Sequence, residues 1–310
     1  MPPFFDDAAV RRLLSIHALI ETIEQTLIDV SAGKVIQPPR TVYEIPSLNP
    51  AEEALPGLLF TKPVITPEVI VTKIITQLPG NPARGLPTMM ATLLLMDRAT
   101  GQIQGVMDAT WLTNLRTAAV SAVAVRKLTP HRPLKVALIG SGALARTHAL
   151  ALRCVRNVLE MRVWSRSSAN AAACAAEVGG LACGSAEQAV EGADVIVTVT
   201  LSPTPVVQGA WLKPGALVCA IGAPRPNWRE LDDAAMHAGV VIGDSYHSAR
   251  HEAGDVLLSG ATVSAEIGEV LAGSKVIAPG TTMVFKALGL AAEDAAAAQL
   301  VLRMAASRST

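Results

Sequence analysis

Aromatic residues are scarce in this chain of 310 residues, at 3%, although half of it is hydrophobic. Its core must therefore rest on Ala, Val, Leu and Ile, as α/β proteins often do. Cysteine is scarce as well. Cys154, Cys174, Cys183 and Cys219 show neither C-x-x-C spacing nor a histidine partner pattern, which excludes a disulfide framework and reads as thiols of a reducing compartment. Neither sign of charge prevails, with Lys+Arg and Asp+Glu at 26 each. That balance removes the basic field a nucleic-acid binder needs. No apolar run approaches the ~18 residues of a membrane span. Asp6 and Asp7 come before any positive charge, so no signal peptide is read and a cytoplasmic protein is expected. Gly-x-Ser-x-Gly is missing, which leaves serine hydrolysis no foothold. No group of His, Cys and acidic residues has metal-ligand spacing, and no metal is expected.

What is present centres on Leu134 to Ala145. Val136–Ile139 is a short apolar run that suits a buried parallel strand. Gly140, Gly142 and Ala145 follow at G-x-G-x-x-A spacing, with Ser141, Ala143 and Leu144 between them. The first glycine permits a sharp turn, the second lets backbone approach a pyrophosphate, and the third small residue lets helix and strand pack closely. The N–H groups at the helix start favour the phosphates. Further units follow: strands at Met161–Trp164, Asp194–Thr200, Leu217–Ile221 and Val240–Ile242, and a helix at Ala169–Val178. The fold class expected is α/β, a Rossmann doubly wound parallel sheet. In NAD-binding members of this fold an acid ends the second strand and binds the ribose 2′-hydroxyl. Here Trp164-Ser165-Arg166-Ser167-Ser168 has none. Arg166 can pair with a 2′-phosphate, and Ser165 and Ser167 can add donors. NADPH is expected, with NADH possible.

The N-terminal part differs in pattern. Asp6 or Asp7 can cap a short helix, and Ser15 a second that ends before Gly33. From Val35 to Val106, short β-branched runs alternate with Pro and Gly, predicting a mostly antiparallel sheet. Ala109 to Leu128 then reads as a helix, and Thr281 to Met304 as an alanine-rich helix packing back on the first domain. The expected division is an N-terminal α+β domain over 1–115, a Rossmann domain over 116–283, and a returning helix in 284–310.

Lys73 shares a strand face with Val71 and Ile75. On that apolar face it calls for a bound anion, a buried acid or a catalytic task, unless it is a rim lysine that snorkels. Arg40 precedes a strand, and Arg116 lies at the junction of the two domains, where ligand clefts form. Together the three cations suit a small carboxylate.

Pro39-Arg40-Thr41-Val42, Lys73, Met107-Asp108-Ala109, Leu112-Thr113-x-x-Arg116-Thr117, Gly140-x-Gly142 and Ala193-Asp194-Val195-Ile196 make the chain resemble the ornithine cyclodeaminase/mu-crystallin family over nearly its whole length. So do Trp211-Leu212-Lys213-Pro214-Gly215, Gly254-Asp255-Val256-Leu257 and Val284-Phe285-Lys286. The resemblance implies an N-terminal substrate and dimerisation domain completed by the C-terminal helix, and a homodimer. It implies that Arg40, Lys73 and Arg116 bind a substrate carboxylate, and that Thr200 and Val284 join the glycine loop at the cofactor. Cyclodeaminases of the family carry an aspartate after the strand equivalent to Leu217–Ile221. This chain has Pro224 there, with no carboxylate. The reading is therefore an NAD(P)H-dependent reductase of cyclic ketimine 2-carboxylates, giving proline or pipecolate. The proton donor is Lys73, Glu252 or water. The alternatives are an ornithine cyclodeaminase, an alanine dehydrogenase, or an NADPH-dependent small-ligand binder without turnover.

Overall fold

In a computed structural model, residues 2–46 and 56–308 are described; at Pro82 only the backbone is. The chain opens with strand β1 (Phe4–Phe5) and helices α1 (Asp7–Leu13) and α2 (Ile16–Ser31). Asp6 caps α1, its carboxylate accepting from Ala9 N. Strands β2 (Thr41–Ile45), β3 (Gly57–Ile65), β4 (Val69–Gln77), β5 (Met89–Asp97) and β6 (Ile103–Asp108) follow, then helix α3 (Thr110–Leu128). From there strands and helices alternate: β7 (Leu134–Ile139), α4 (Ala143–Val155), β8 (Val158–Trp164), α5 (Ser168–Val178), β9 (Leu181–Ala182), α6 (Ala186–Val190), β10 (Val195–Thr198) and β11 (Leu217–Ala220). The chain continues through α7 (Asp233–Met236), β12 (Val240–Gly243), α8 (Tyr246–Glu252), α9 (Gly254–Ser259), β13 (Val263–Glu266), α10 (Ile267–Leu271), β14 (Met283–Lys286) and α11 (Ala291–Ser307).

These elements form two compact units. The first comprises Met1–Thr22, Gly33–Arg116 and Leu290–Thr310; the second comprises Ile23–Ala32 and Thr117–Gly289. The first is built on a six-stranded sheet, order β1-β6-β5-β4-β3-β2. Its pairs are antiparallel from β2 to β6, as the short Pro- and Gly-punctuated runs predict. Only β1 joins parallel to its neighbour. α11 packs across β3, β4 and β5 on one face. On that face Val64, Val71, Leu93, Leu95 and Met107 are buried. The opposite face carries Tyr43, Ile74 and Met90, all exposed.

The second unit holds an eight-stranded sheet, order β13-β12-β14-β11-β10-β7-β8-β9. Every pair in it is parallel. β7 pairs with β8 on one side and with β10 on the other. The winding therefore reverses beside β7, the switch point where such sheets bind ligands at their carboxyl edge.

The expected helix over Thr281–Met304 is interrupted. Met283–Lys286 is strand β14, buried between β11 and β12 with ladder partners on both sides. Gly289, left-handed at φ +78°, then breaks the chain direction before α11. Three apolar residues and a lysine have no helical or strand signature of their own, and pairing decides it. By compactness the first unit takes up again at Leu290, and Ile23–Ala32, the second half of α2, falls within the second unit.

Candidate active site

In the first unit, strand alternation places Lys73 on the α11-covered face of the sheet, where its side chain is 1% exposed. Its ammonium lies 2.7 Å from Asp294 Oδ2 and 3.4 Å from Thr113 Oγ1. Arg116, on α3, donates through Nε to Asp294 Oδ1 at 2.9 Å and through Nη1 to Glu293 Oε2 at 2.5 Å. Both acids come from α11, and both are fully buried. A buried charge costs several kcal/mol unless paired, so this cluster forms as a unit. Asp294 bridges two of the three cations that the sequence singled out, Lys73 and Arg116.

The electrostatics follow from that packing. Burial pushes the Lys73 ammonium down to about 7, with Asp294 opposing and Arg116 and Lys62 adding to the fall. Burial raises the Glu293 carboxyl above its ordinary range even against Arg116. Burial also works against Asp294, yet Arg116, Lys73 and Lys62 outweigh it and hold it low. Arg116 stays firmly charged: burial acts against it, and Asp294 and Glu293 prevail. Glu293 Oε1 is buried without a hydrogen-bond partner among the described residues. Arg40, half-buried just before β2, acts electrostatically on Lys62, which in turn is coupled to Asp294, Arg116 and Glu293. The structure thus brings Lys73 and Arg116 together and sets Arg40 beside the same cluster. Sequence reading missed Glu293 and Asp294, whose signal was an acidic pair inside an alanine-rich helix. It also missed Lys62, which pairs in register with Lys73.

The second unit carries the glycine loop. Gly140 has φ +124°, and a Cβ there would lie 2.9 Å from Val199 O. Only glycine fits. A Cβ on Gly142 would meet nothing within 4 Å. Gly142 caps α4 without a side-chain hydrogen bond, so the helix start presents N–H groups beside open space at the switch point. That cradle fits a pyrophosphate. Ala145 is fully buried, as close helix–strand packing requires. Ser141 Oγ donates to Ser165 Oγ at 2.9 Å, and Ser165 Oγ donates to Ser167 O at 2.9 Å. This joins the loop to the end of β8. Ser167 caps α5, and Arg166 is exposed beside it with no acid in the segment.

The loops after β10 and β11 share one buried network. Glu230 Oε1 accepts from Thr200 N and Thr200 Oγ1, each at 2.6 Å, and Oε2 accepts from Thr198 Oγ1 at 2.7 Å. Asp255 Oδ1 accepts from the N–H groups of Glu230 and Leu231. Lys286 Nζ donates to Gly222 O and to Asp255 Oδ2, both at 2.8 Å. Gly222 is squeezed against Thr200 O, which a Cβ would approach to 2.1 Å. Ala223 follows in the left-handed region at φ +53°, then Pro224, half-buried. Glu252 ends α8, also half-buried. Val284, expected beside the cofactor, lies mid-strand in β14 within the core. Its packing supports the sheet that carries the loops.

His148 is fully buried, with Nδ1 2.7 Å from Leu144 O and Nε2 2.9 Å from Ser121 Oγ. Burial drives its pKa down to about 4, so it is neutral and structural. Asp194, in the family-like Ala193–Ile196 run, takes Arg132, Lys213 and the Lys135 N–H and is held at about 2. A cavity of about 500 Å³ beside it is lined by Lys127, Arg132, Lys213 and Lys275. Leu134, Gly215 and Met283 line it too, which sets it at the amino edge of the sheet, away from the glycine loop. Among the described residues no group of His, Cys, Asp and Glu could hold a metal ion, and no helix is long and apolar enough to cross a membrane.

Known proteins resemble this chain in sequence and in fold. Ketimine reductase mu-crystallin of Mus musculus is 39% identical over 306 residues, 97% of this chain and 96% of that protein. The Thermococcus litoralis Δ1-pyrroline-2-carboxylate reductase, solved with NADH and L-proline, superposes with a TM-score of 0.90 at 28% identity, covering 99% of this chain and 98% of that one. An archaeal alanine dehydrogenase dimer with bound NAD gives a TM-score of 0.90 at 30% identity, covering 100% and 97%. The sequence pattern of one family matches residues 4–309, and the chain belongs to that family, the ornithine cyclodeaminase/mu-crystallin family.

Proposed function

We propose that this protein is an NAD(P)H-dependent reductase of cyclic ketimines that carry a 2-carboxylate. Δ1-Pyrroline-2-carboxylate would give L-proline and Δ1-piperideine-2-carboxylate L-pipecolate. The rings differ by one methylene, worth ~1–3 kcal/mol in a pocket, so both are expected to react. The observation that carries the reading is the buried Lys73–Asp294–Arg116 assembly with Glu293 behind it. It holds two cations, one from β4 and one from α3, in fixed positions, as gripping a small carboxylate demands. The names of the relatives agree with it.

Arg116 and Arg40 hold the carboxylate, and Lys73 is its third contact or the proton donor. When bound, a reduced nicotinamide supplies the hydride that the imine carbon accepts. The nitrogen gains a proton, the C=N double bond becomes a single bond, and NAD(P)H leaves oxidised. Glu252 is the alternative group for orienting the protonated nitrogen, and water the alternative donor. Pro224 stands where a cyclodeaminase needs a carboxylate, and proline has no acid to offer. Gly140, Ser141, Gly142, Ala143, Leu144 and Ala145 cradle the phosphates, with Thr200 at the neighbouring strand end. Ser165, Arg166 and Ser167 favour NADPH, because the β8 end offers a cation and hydroxyls and no acid for a 2′-hydroxyl.

A homodimer through the open face of the six-stranded sheet and a cytoplasmic, reducing setting complete the proposal. All four cysteines are free thiols. The decisive experiment follows NADPH absorbance with both cyclic imines, and with ornithine and pyruvate plus ammonia as controls. Stoichiometric NADPH loss on the imines is expected. NADPH binding without turnover on either imine, or brisk release of ammonia from ornithine, would sink the reading.

A further inference from the structure

The cavity of about 500 Å³ at the amino edge of the eight-stranded sheet has no part in the proposed reaction. All of its walls belong to the second unit. The amino ends of β7, β10, β11 and β14 line it through Leu134, Asp194, Gly215 and Met283. The end of α3 and the segment between α10 and β14 complete it. That segment is tied down at both ends. Near α10, Ser274 N, Ser274 Oγ and Lys275 N donate to Glu269 O at 3.0, 3.0 and 3.3 Å. Near β14, Gly215 N donates to Thr282 Oγ1 at 3.0 Å, and Thr281 Oγ1 donates to Ala278 O at 2.7 Å. The wall is held by its own bonds, so the space it encloses is preformed, as small-molecule pockets are.

Four cations line this cavity, Lys127, Arg132, Lys213 and Lys275, against one acid, Asp194. The chain as a whole balances 26 basic against 26 acidic residues, so the positive surplus here is local. Asp194 takes up Arg132 and Lys213. Lys127 and Lys275 are exposed and make no ion pair among the described residues. A cleft lined by one sign of charge focuses its field on a counter-ion. Hydrocarbon stands beside the charge. Leu128 follows Lys127 in the lining, and Val276 and Ile277 follow Lys275. Val276 is 85% exposed, the most exposed large apolar side chain among the described residues.

We propose that this cavity is a second small-molecule site, for a phosphate monoester carried on a compact apolar body. Lys127 and Lys275 hold the phosphate, since lysine meets it as a point charge on a flexible stem and needs no fixed fork. Arg132 and Lys213 add to the field while keeping Asp194 as their partner. Leu128, Val276 and Ile277 cover the apolar body. A phosphate monoester brings about −1.5 to −2 of charge at neutral pH. A carboxylate brings one, and is the weaker ligand. The glycine loop and the Glu230 network are at the opposite, carboxyl edge of the sheet, so the occupant does not compete with a dinucleotide.

The test is calorimetry of the full-length protein with 1-naphthyl phosphate, with and without saturating NADP+ and NAD+. One equivalent should bind in every case, more weakly as salt is added. Lys127→Gln combined with Lys275→Gln should weaken binding at least about tenfold, the loss of two charge-assisted contacts. Val276→Asp, which sets an acid in the same wall, should do the same. All three positions are exposed, and NADPH turnover should be unchanged in both variants. Inorganic phosphate, 1-naphthol and 1-naphthoate should each bind more weakly than the ester. Absence of binding at millimolar ester, displacement of the ester by dinucleotide, or an affinity unchanged in the double lysine variant overturns the proposal. Inorganic phosphate binding as tightly as the ester overturns the apolar half of it, and 1-naphthoate binding as tightly overturns the phosphate half.

Discussion

Lys73 is an ammonium whose burial nearly cancels its own charge. Burial is the largest influence on it, and Asp294 restores only part of what burial removes, leaving it at about 7. Only the ammonium grips a carboxylate, so kcat/KM for a cyclic imine should fall about tenfold per unit as pH rises above about 7. A bound carboxylate favours the charged form, which moves the break in kcat to higher pH. Lys73→Arg should flatten this limb, because guanidinium stays charged. The imine's own ionisation, titrated separately, is removed from both profiles first. Matching profiles for wild type and Lys73→Arg would contradict the assignment. The same group bears on stability. Between about pH 7 and its unfolded value near 10.5, the unfolded chain holds a proton that the folded chain has released, so this site's contribution to stability rises with pH across that window. Arg116 is the firmer anchor, fixed at two nitrogens. Lys73 was legible because a period of two puts it on a face with Val71 and Ile75. Glu293 and Asp294 were not, since their burial depends on cations some 177 and 178 residues away in sequence. Lys62 was hidden because register, which sequence does not declare, sets its neighbours.

The elements that carry these residues divide by how local their signals are. The β7–loop–α4 unit is readable within twelve residues, because a tight turn, a close approach and a helix start each impose their own residue. β14 was not readable. Its four residues take their identity from β11 and β12 and from Lys286 at its end. Lys286, Asp255 and Glu230 together tie the carboxyl ends of β10, β11 and β14. Burial raises the Glu230 carboxyl, with Lys286 opposing. Removing one partner of such a buried pair leaves a charge with no answer. Lys286→Met should therefore destabilise the protein by about 3–5 kcal/mol, measured by urea unfolding. Adding Asp255→Asn should recover part of the loss, because Asn keeps an oxygen for the Glu230 and Leu231 N–H groups and drops the orphaned charge. A single variant that unfolds within about 1 kcal/mol of wild type would show that these strand ends are held by something else.

At the scale of the whole molecule, the six-stranded sheet has, among the described residues, helical cover on the face that α11 packs against. α11 packs on the face with Lys73. The other presents Tyr43, Ile74 and Met90 at 58%, 40% and 46% exposure. Register makes these a patch and not scattered residues: Tyr43 pairs with Leu59, Leu59 with Thr76 and Thr76 with Met90, while Ile74 lies opposite Thr61. Thr61, Thr76 and Thr92 lie between them, and exposed large apolar side chains gathered on one sheet face are what the proposed homodimer would bury. A second copy is the partner that needs no further invention, since an isologous contact lets such a face bury itself. The archaeal relative of the same fold was solved as a dimer. Light scattering on the purified protein should give twice the chain mass. Ile74→Glu with Met90→Glu, placing two charges on the face opposite the active-site cations, should give the single-chain mass with the far-UV spectrum kept. If the wild type is monomeric at micromolar concentration, or the double variant stays dimeric, the sheet face is not where copies meet. If the variant is monomeric and still binds substrate carboxylate, the cluster of Lys73, Arg116 and Asp294 is complete within one chain. That outcome is expected, since Arg40, Lys62, Lys73, Arg116, Glu293 and Asp294 all belong to the first unit.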